Sequence, residues 1–201
     1  MTTTTSILVD DDDGTRRCAW VGRDPEYQRY HDEEWGSALH GDRALFEKIS
    51  LEAFQAGLSW ITILKRRPAF REVFYGFDVE RVAAMTELQA DALMADPRII
   101  RNRAKITATI ANARVTLDLT RDHPGALDEL IWSFAPEVRD RSPASFADIP
   151  AVTAESTVMS TALRALGYRF VGPTMMYALM QSAGMIDDHL RGCWRASVAC
   201  H

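Results

Sequence analysis

The sequence predicts an all-α fold, and three observations carry this prediction. Apolar residues recur at the spacing of a helix face, as at Ile106, Ile110 and Ala113. Capping residues and glycines mark the ends of these segments, whereas no run of about four to eight residues alternates β-branched and polar side chains between turns. No segment repeats with a period of roughly 20 to 50 residues, which argues against a solenoid.

The first fifteen residues differ in composition from the rest of the chain. Residues 1–15 are rich in threonine and then acidic, with few apolar side chains, so we expect a disordered leader. Residues 16–201 are expected to form a single all-helical domain. The last few residues, including Cys200 and His201, are expected to be loose.

Capping signals divide the first half of this domain into helices. Asp42 is placed to cap a helix that carries Glu52 and ends at Gly57. The segment SWITILKR begins another helix shortly afterwards. Thr86 and Gln89 have the spacing of a capping box. These signals predict short helices joined by tight turns.

The second half is predicted to contain longer and more apolar helices. Pro97 breaks the chain before a long helix with an apolar repeat. A proline-rich connection then precedes two further helices, which end at Gly167 and Gly184. The second of these, PTMMYALMQSAG, is apolar on most sides and is therefore predicted to be buried.

Four possible metal ligands lie near the two ends of the domain. His189 and Cys193 are four residues apart, so they would share one face of a helix capped by the preceding aspartates. Together with Cys18 and His31 they complete a tetrahedral set that leaves no position open for water. The sequence therefore predicts one structural Zn²⁺ per chain, which tethers the N- and C-terminal segments.

The number of cysteines limits the alternatives to this metal site. Three cysteines exclude a full disulfide framework, although a single Cys18–Cys193 bridge stays open. Each Cys and His pair taken alone is more often an ordinary core or surface pair. Only the joint occurrence of two such pairs favours a metal ion.

Glu52 falls toward the apolar side of its predicted helix. A glutamate on a helix is usually solvated, but the neighbours of Glu52 are apolar, and a buried carboxylate needs a partner. Three tryptophans occur in the same stretch: Trp20, Trp35 and Trp60. Each tryptophan, taken singly, is more often a core residue than a binding-site residue. Two tryptophans on either side of a ligand ring, however, would form a slot in which that ring stacks. Such a slot with a carboxylate suits a flat, cationic ligand with amino donors.

Most of the net charge of −5 comes from the leader. Asp10–Asp13 contribute −4, so the remainder carries only −1. Basic residues cluster at 65–71 and 98–105, where Lys65, Arg101 and Lys105 are candidates for phosphate contacts if these are not simply solvated faces. No apolar run reaches the roughly 18 residues of a spanning helix, and the start lacks a signal peptide. We therefore expect a cytoplasmic protein.

Several ordered blocks of the sequence resemble bacterial 3-methyladenine DNA glycosylase I. They are CAWVGRDPEYQRYHDEEWG, LEAFQAGLSWITILKRR, IIRNRAKI, WSF, ALRALGYRFVGPTMMYALMQSAGMIDDH and a final GC. The resemblance runs from Arg17 to about Trp194. It implies an all-helical member of the helix-hairpin-helix DNA glycosylases in which zinc joins the two termini.

The resemblance also implies roles for individual residues. Glu52 is implied as the catalytic residue, and with Tyr30 it hydrogen-bonds a flipped base on which Trp60 stacks. The residues implied to complete the pocket are Trp20, Tyr27 and Trp35. Those implied to face the gap left in the duplex are Gly57 and Leu58. Zinc is implied on Cys18, His31, His189 and Cys193.

The implied function is base-excision repair by a monofunctional glycosylase. The enzyme flips 3-methyladenine out of alkylated double-stranded DNA, hydrolyses its N-glycosidic bond without lyase activity and releases the free base. A monomer with no membrane contact is expected. One alternative is a non-catalytic zinc-stabilised DNA-binding module, which needs no carboxylate in an aromatic pocket. A zinc hydrolase with Glu52 as general base is a second alternative, and it needs an open metal position.

Overall fold

The computed structural model describes residues 7–12, 14–137 and 143–196. This part of the chain contains ten α-helices and a short antiparallel ribbon of two strands, β1 (Leu8–Asp10) and β2 (Arg16–Cys18). The helices are α1 (Pro25–Glu33), α2 (Asp42–Gln55), α3 (Trp60–Leu64), α4 (Arg67–Val73), α5 (Val79–Ala83), α6 (Glu87–Leu93), α7 (Arg103–Thr120), α8 (Ala126–Trp132), α9 (Ala154–Ala165) and α10 (Pro173–Ser182). The predicted all-α class is confirmed. Among the described residues, no helix is long and apolar enough to span a bilayer.

The chain forms two compact units. The terminal unit comprises residues 1–38, 136–151 and 180–201, and the central unit comprises residues 39–135 and 152–179. The single domain over residues 16–201 stays a prediction. Cys200 and His201, predicted to be loose, lie outside the described residues.

The acidic leader contains an ordered strand. β1 pairs with β2 in a register that places Leu8 opposite Cys18. Ile7 and Leu8 also pack against a buried cluster of Cys18, Leu190 and Cys193. The prediction of a disordered leader is therefore wrong for β1, because its apolar side chains find a partner surface far away in the sequence. Residues 1–6 and 13 of the leader lie outside the described residues.

Phenylalanines form much of the core of the central unit. The rings of Phe54 and Phe70 lie 4.5 Å apart, and those of Phe74 and Phe77 lie 5.6 Å apart. All four side chains are fully buried. Because burying each such side chain is worth about 1.5 to 3 kcal/mol, this cluster fixes which face of α2 points inward.

Asp42 caps a different helix from the one predicted. Its carboxylate accepts hydrogen bonds from the backbone N–H groups of Gly125 (2.7 Å), Leu127 (3.0 Å) and Asp128 (3.0 Å), at the start of α8. The cap residue of α2 is Gly41, which makes no side-chain cap bond. Its N–H instead donates to the Asp128 carboxylate at 2.9 Å. The helices α2 and α8 therefore cap each other.

Two other helix-end predictions are confirmed. Thr86 and Gln89 form a reciprocal capping box at the start of α6. Gly57 follows the end of α2 with φ of +82°, a left-handed conformation that glycine adopts without the steric penalty of other residues. Both signals were readable from the sequence because each involves residues adjacent along the chain.

The Asp42 cap gives a test of the central unit. We expect Asp42→Ala to lower the free energy of unfolding by about 2 kcal/mol, because three N–H groups lose their acceptor. Thr86→Ala, at the exposed capping box of α6, should cost only about 1 kcal/mol. Urea denaturation of both variants measures the difference. Equal losses would contradict the assignment of Asp42 as the cap of a second helix.

Candidate functional site

Cys18, His31, His189 and Cys193 form one buried cluster in the terminal unit. Their ligand atoms all lie within 4.8 Å of one another. Cys193 Sγ lies 3.4 Å from His31 Nε2 and 3.8 Å from His189 Nδ1. Tetrahedral zinc, with bonds of about 2.0 to 2.3 Å, places its ligand atoms roughly 3.3 to 3.8 Å apart. The cluster therefore has the composition and size of a closed four-coordinate metal site and could hold an ion.

The other ring nitrogen of each histidine is held by a hydrogen-bond partner. His31 Nδ1 lies 2.8 Å from Asp32 Oδ1, and His189 Nε2 lies 3.3 Å from the carbonyl oxygen of Trp35. Partners of this kind orient metal-binding imidazoles and set their tautomer. They leave His31 Nε2 and His189 Nδ1 facing the sulfur of Cys193. The sequence analysis missed Asp32, although a carboxylate directly after a histidine was a readable signal.

Cys18 and Cys193 are free, buried thiols in the structure, not the alternative disulfide. The hydrogen bond between the two thiols lowers the pKa of Cys193, whereas the same bond and burial raise the pKa of Cys18. Cysteine ligates a metal as the thiolate, so an ion bound here would favour the deprotonated form of both sulfurs.

His189 and Cys193 do not lie on a helix, and this part of the prediction is wrong. Asp187 Oδ1 accepts the N–H of His189 at 3.0 Å, a local turn bond that competes with helix formation. Gly192 then turns the chain with φ of +90°. The N–H of Cys193 donates to the carbonyl of Leu190 at 2.9 Å. Successive turns thus bring His189 and Cys193 together without a helix.

Gly36 allows the chain to pass close to His189. Its φ is +77°, and a Cβ atom at this position would lie 2.8 Å from His189 Nε2. Real Cβ atoms are not found so close to another heavy atom, so any side chain here would displace the imidazole. Glycine is therefore required beside the cluster for both backbone and steric reasons.

A chain of charged groups connects the leader to His31. Asp11 Oδ2 lies 2.5 Å from Arg17 Nη1, Arg17 Nη2 lies 2.6 Å from Asp32 Oδ2, and Asp32 holds the His31 ring. Asp32 has a lowered pKa, because hydrogen bonds from Arg17, His31 and Trp194 outweigh the opposing effect of burial. The leader therefore helps to hold the carboxylate that orients a predicted metal ligand.

Aromatic residues of the terminal unit pack around the cluster of Cys and His side chains. The ring of Trp35 lies 4.5 Å from that of His189 and 5.1 Å from that of Trp20. The Tyr27 ring lies 4.9 Å from Trp20 and 6.5 Å from the buried Tyr30. The structure thus brings together the four base-binding residues predicted in this unit. Trp20 and Trp35 also pack near the predicted metal ligands.

The central unit contains the other predicted site residues. Glu52 lies on α2 and is only 3% exposed, in keeping with its apolar neighbours in the sequence. Trp60 is the first residue of α3 and is also buried. Gly57 and Leu58 lie in the connection between these helices, where the Leu58 side chain is 41% exposed. A buried carboxylate and a buried indole therefore flank one exposed turn.

Lys48 is a buried cation that the sequence analysis missed. Its Nζ lies 5.2 Å from the centroid of the Trp60 ring, within the range of a cation–π interaction. Lys48 also lies one helical turn before Glu52 on α2, and this spacing of four residues was the available signal. One face of Trp60 therefore already contacts a cation.

Lys105 is a second buried lysine, and its predicted role as a phosphate contact is wrong. Its Nζ donates to the carbonyl oxygens of Phe54 at 2.9 Å and Ala56 at 2.7 Å. Burial lowers the pKa of Lys105. A lysine in a basic cluster is normally expected at the surface, and only the packing of α7 on α2 reveals the difference.

Other members of the basic clusters form ion pairs. Arg71 lies 2.7 Å from Glu47, and Arg98 lies 2.8 Å from Glu72 and 2.7 Å from Asp96. Arg103 pairs with Glu87 at 3.0 Å. Arg101 is exposed. Three cations of these clusters are therefore paired with carboxylates, and the exposed Lys65 and Arg101 stay candidates for phosphate contact.

The sequence also matches a known family over most of its length. Residues 20–196 match a family model described as methyladenine glycosylase. The chain belongs to the methyladenine glycosylase family. It is 44% identical over 180 residues to DNA-3-methyladenine glycosylase 1 of Escherichia coli, which covers 88% of this chain and 95% of that relative.

Solved structures of this family share the fold. A crystal structure of 3-methyladenine DNA glycosylase I has a TM-score of 0.86 and 42% identity, covering 90% of this chain and 100% of the other. A tyrosine-to-phenylalanine variant of such an enzyme in complex with 3-methyladenine has a TM-score of 0.84 and 34% identity, covering 92% and 99%. Membership of the methyladenine glycosylase family makes the protein a base-excision repair enzyme that hydrolyses N-glycosyl bonds. The alternative of a non-catalytic module is thereby excluded.

The charge chain from the leader gives a matched pair of variants. We expect Asp11→Asn to lower the free energy of unfolding by about 1 to 2 kcal/mol, because a largely buried charge-assisted hydrogen bond to Arg17 is lost. Asp10→Asn breaks the exposed pair with Arg16 and should cost clearly less, because solvent screens exposed ion pairs. Thermal and urea denaturation at neutral pH compare the two. A loss no larger for Asp11→Asn would show that the leader is not coupled to the cluster.

Proposed function

We propose that the protein removes 3-methyladenine from alkylated double-stranded DNA by hydrolysis of its N-glycosidic bond, without lyase activity. The observation that carries this proposal is that the buried carboxylate of Glu52 and the buried indole of Trp60 lie on two helices joined by one short connection. The methyladenine glycosylase family and its complex with 3-methyladenine support the choice of base. Free 3-methyladenine is the product, and the enzyme acts as a monomer.

Glu52 and Trp60 recognise complementary properties of the base. Methylation on ring nitrogen 3 leaves adenine cationic, so stacking on an indole adds about 0.5 to 2 kcal/mol that neutral adenine does not gain. The Glu52 carboxylate accepts from the exocyclic amino group and favours the positive charge. Tyr30 donates or accepts a further hydrogen bond. The aromatic residues proposed to complete the pocket are Trp20, Tyr27 and Trp35.

The chemistry needs little assistance beyond recognition. The glycosidic bond of a cationic base is already weakened, since the base departs in a neutral form. Extrusion of the nucleotide costs a few kcal/mol, and less for a damaged pair, so contacts to the flipped base can repay it. Selectivity therefore arises where undamaged adenine loses the charge-dependent contacts to Glu52 and Trp60.

The exposed turns of the central unit are proposed to contact the DNA. Gly57 and Leu58 face the gap left by the extruded nucleotide, in keeping with the exposure of the Leu58 side chain. Between α9 and α10, the backbone N–H and C=O of Arg169 bond to the Asn112 side chain at 2.8 and 3.0 Å. Phe170 follows with φ of +56°. A connection between α9 and α10 that is fixed in this way suits the proposed helix-hairpin-helix contact with the DNA backbone.

Zinc is the proposed occupant of the Cys and His cluster. Two thiolates and two imidazoles at tetrahedral spacing are the ligand set that zinc prefers, and four protein ligands leave no position for a reactive water. The proposed role is therefore structural, which argues against a zinc hydrolase that uses Glu52 as general base. When bound, the ion supplies crosslinks between residues near the two ends of the chain.

Metal content tests this part of the proposal. We expect about one zinc ion per chain in purified protein, and a lower melting temperature after chelation. His189→Ala should bind zinc at least about tenfold more weakly and unfold at a lower temperature. His123→Ala alters an exposed histidine and serves as the control. Full zinc content and unchanged melting of His189→Ala would refute the structural-metal proposal.

The role of Glu52 is tested by base excision. Glu52→Gln keeps the shape of the side chain but removes its charge, so we expect a loss of about 2 to 3 kcal/mol, equivalent to roughly 30- to 150-fold in rate. The measurement is single-turnover release of 3-methyladenine from methylated duplex DNA by folded, metal-loaded protein. Trp60→Ala serves as the stacking variant.

Glu47 provides the matched control for this substitution. It lies on the same helix, and its carboxylate pairs with Arg71, so Glu47→Gln should excise the base at the wild-type rate. Wild-type excision by Glu52→Gln would show that the carboxylate is not used. Absence of base release by the wild-type protein would overturn the proposed substrate itself.

A further inference from the structure

Lys105 closes the C-terminal end of α2. It lies on α7, and its ammonium group donates to the carbonyl oxygens of Phe54 and Ala56 at 2.9 and 2.7 Å. The last four carbonyl groups of a helix receive no hydrogen bond from the helix itself. A cation is also favourable at this end of the helix dipole. The side chain is only 6% exposed. The buried ammonium group of Lys105 therefore bonds two specific backbone oxygen atoms.

These two bonds act where the chain leaves α2 and turns toward α3. Gly57 has φ of +82°, and the N–H of Leu58 donates to the carbonyl of Gln55 at 2.6 Å. Ser59 precedes α3, which begins at Trp60. A shift of the last turn of α2 would therefore move both the exposed Leu58 and the start of the helix that carries Trp60.

We propose that Lys105 is a positioning residue for base excision. By closing the last turn of α2, its ammonium group fixes the Glu52 carboxylate, less than one turn earlier, relative to Trp60 and Leu58. This inference rests on the proposed function, which assigns those three residues to the base and the duplex. Lys105 touches neither the base nor the DNA and acts only through the backbone it holds.

The same helix provides a matched control. Arg114, also on α7, donates to the carbonyl oxygens of Ala83 at 2.9 Å and Met85 at 3.1 Å, at the end of α5. None of the proposed base-binding or DNA-contacting residues lies on α5. Arg114→Met therefore removes a comparable helix-end contact of α7 at a place with no proposed role in excision.

The experiment compares Lys105→Met, Lys105→Arg and Arg114→Met under conditions in which each is folded. Single-turnover excision is measured at saturating enzyme, so that weaker DNA binding does not affect the rate. We expect Lys105→Met to be about 10- to 100-fold slower, because small misplacements of binding groups have effects of this size. Lys105→Arg can bond both carbonyls and should recover most of the rate, whereas Arg114→Met should stay within about twofold of wild type.

Amide hydrogen exchange gives a readout that is independent of activity. The Leu58 amide should exchange faster in Lys105→Met than in wild type or Arg114→Met, because its turn is no longer fixed. If Lys105→Met does not fold, Lys105→Gln, which can bond one carbonyl, replaces it with a smaller expected loss. A wild-type rate in the Lys105 variant, an equal loss in Arg114→Met, or unchanged exchange at Leu58 would each overturn the inference.

The two proposals fail in different ways. A wild-type protein that releases no 3-methyladenine would overturn the proposed function, and the exchange comparison would then still decide whether Lys105 fixes the turn. A wild-type protein that is active, together with an unaffected Lys105→Met variant, would overturn only the positioning role.

Discussion

The meeting of Cys18, His31, His189 and Cys193 is the constraint on which the terminal unit depends. Two of these residues lie near the start of the chain and two near its end, so their contact closes a loop over most of the sequence. The entropic cost of a loop grows only slowly with its length, and binding of a metal ion contributes directly to folding free energy. An ion bound by these four residues would therefore hold residues 187–193 in place, even though they form no regular helix.

A different constraint organises the central unit, where α2 carries or contacts several buried charges. Glu52, Lys48 and Lys105 are each less than 10% exposed. Buried charges are costly unless they are bonded. Here the Lys105 ammonium bonds backbone carbonyls at the end of α2, and the Lys48 ammonium lies near the Trp60 ring. The phenylalanine cluster on the apolar side of α2 supplies the hydrophobic free energy that offsets this cost. The phenylalanine cluster thus holds α2 in place while the helix carries or contacts these charges.

The sequence predicted those features whose partners are near in the chain or recognisable by residue type. The Thr86 capping box depends on a residue three positions away, and the four Cys and His residues of the cluster could be grouped by their chemistry as possible metal ligands. Asp42 could not be assigned correctly, because the N–H groups that it caps lie more than 80 residues further along. Lys105 was misassigned for the same reason. Its two carbonyl partners become visible only when α7 packs on α2.

The buried charges also explain how an enzyme with little chemistry to perform can be selective. If the substrate supplies its own activated bond, the rate depends on how well the protein distinguishes a cationic base from a neutral one, and this depends on distance and orientation. The Lys48 ammonium near Trp60 opposes this distinction, because a fixed cation repels a cationic base, so the carboxylate of Glu52 has to outweigh it. The placement of Glu52 and Trp60 that we propose for Lys105 would supply this distance and orientation. A looser turn after α2 would preserve every recognition residue and still lose discrimination.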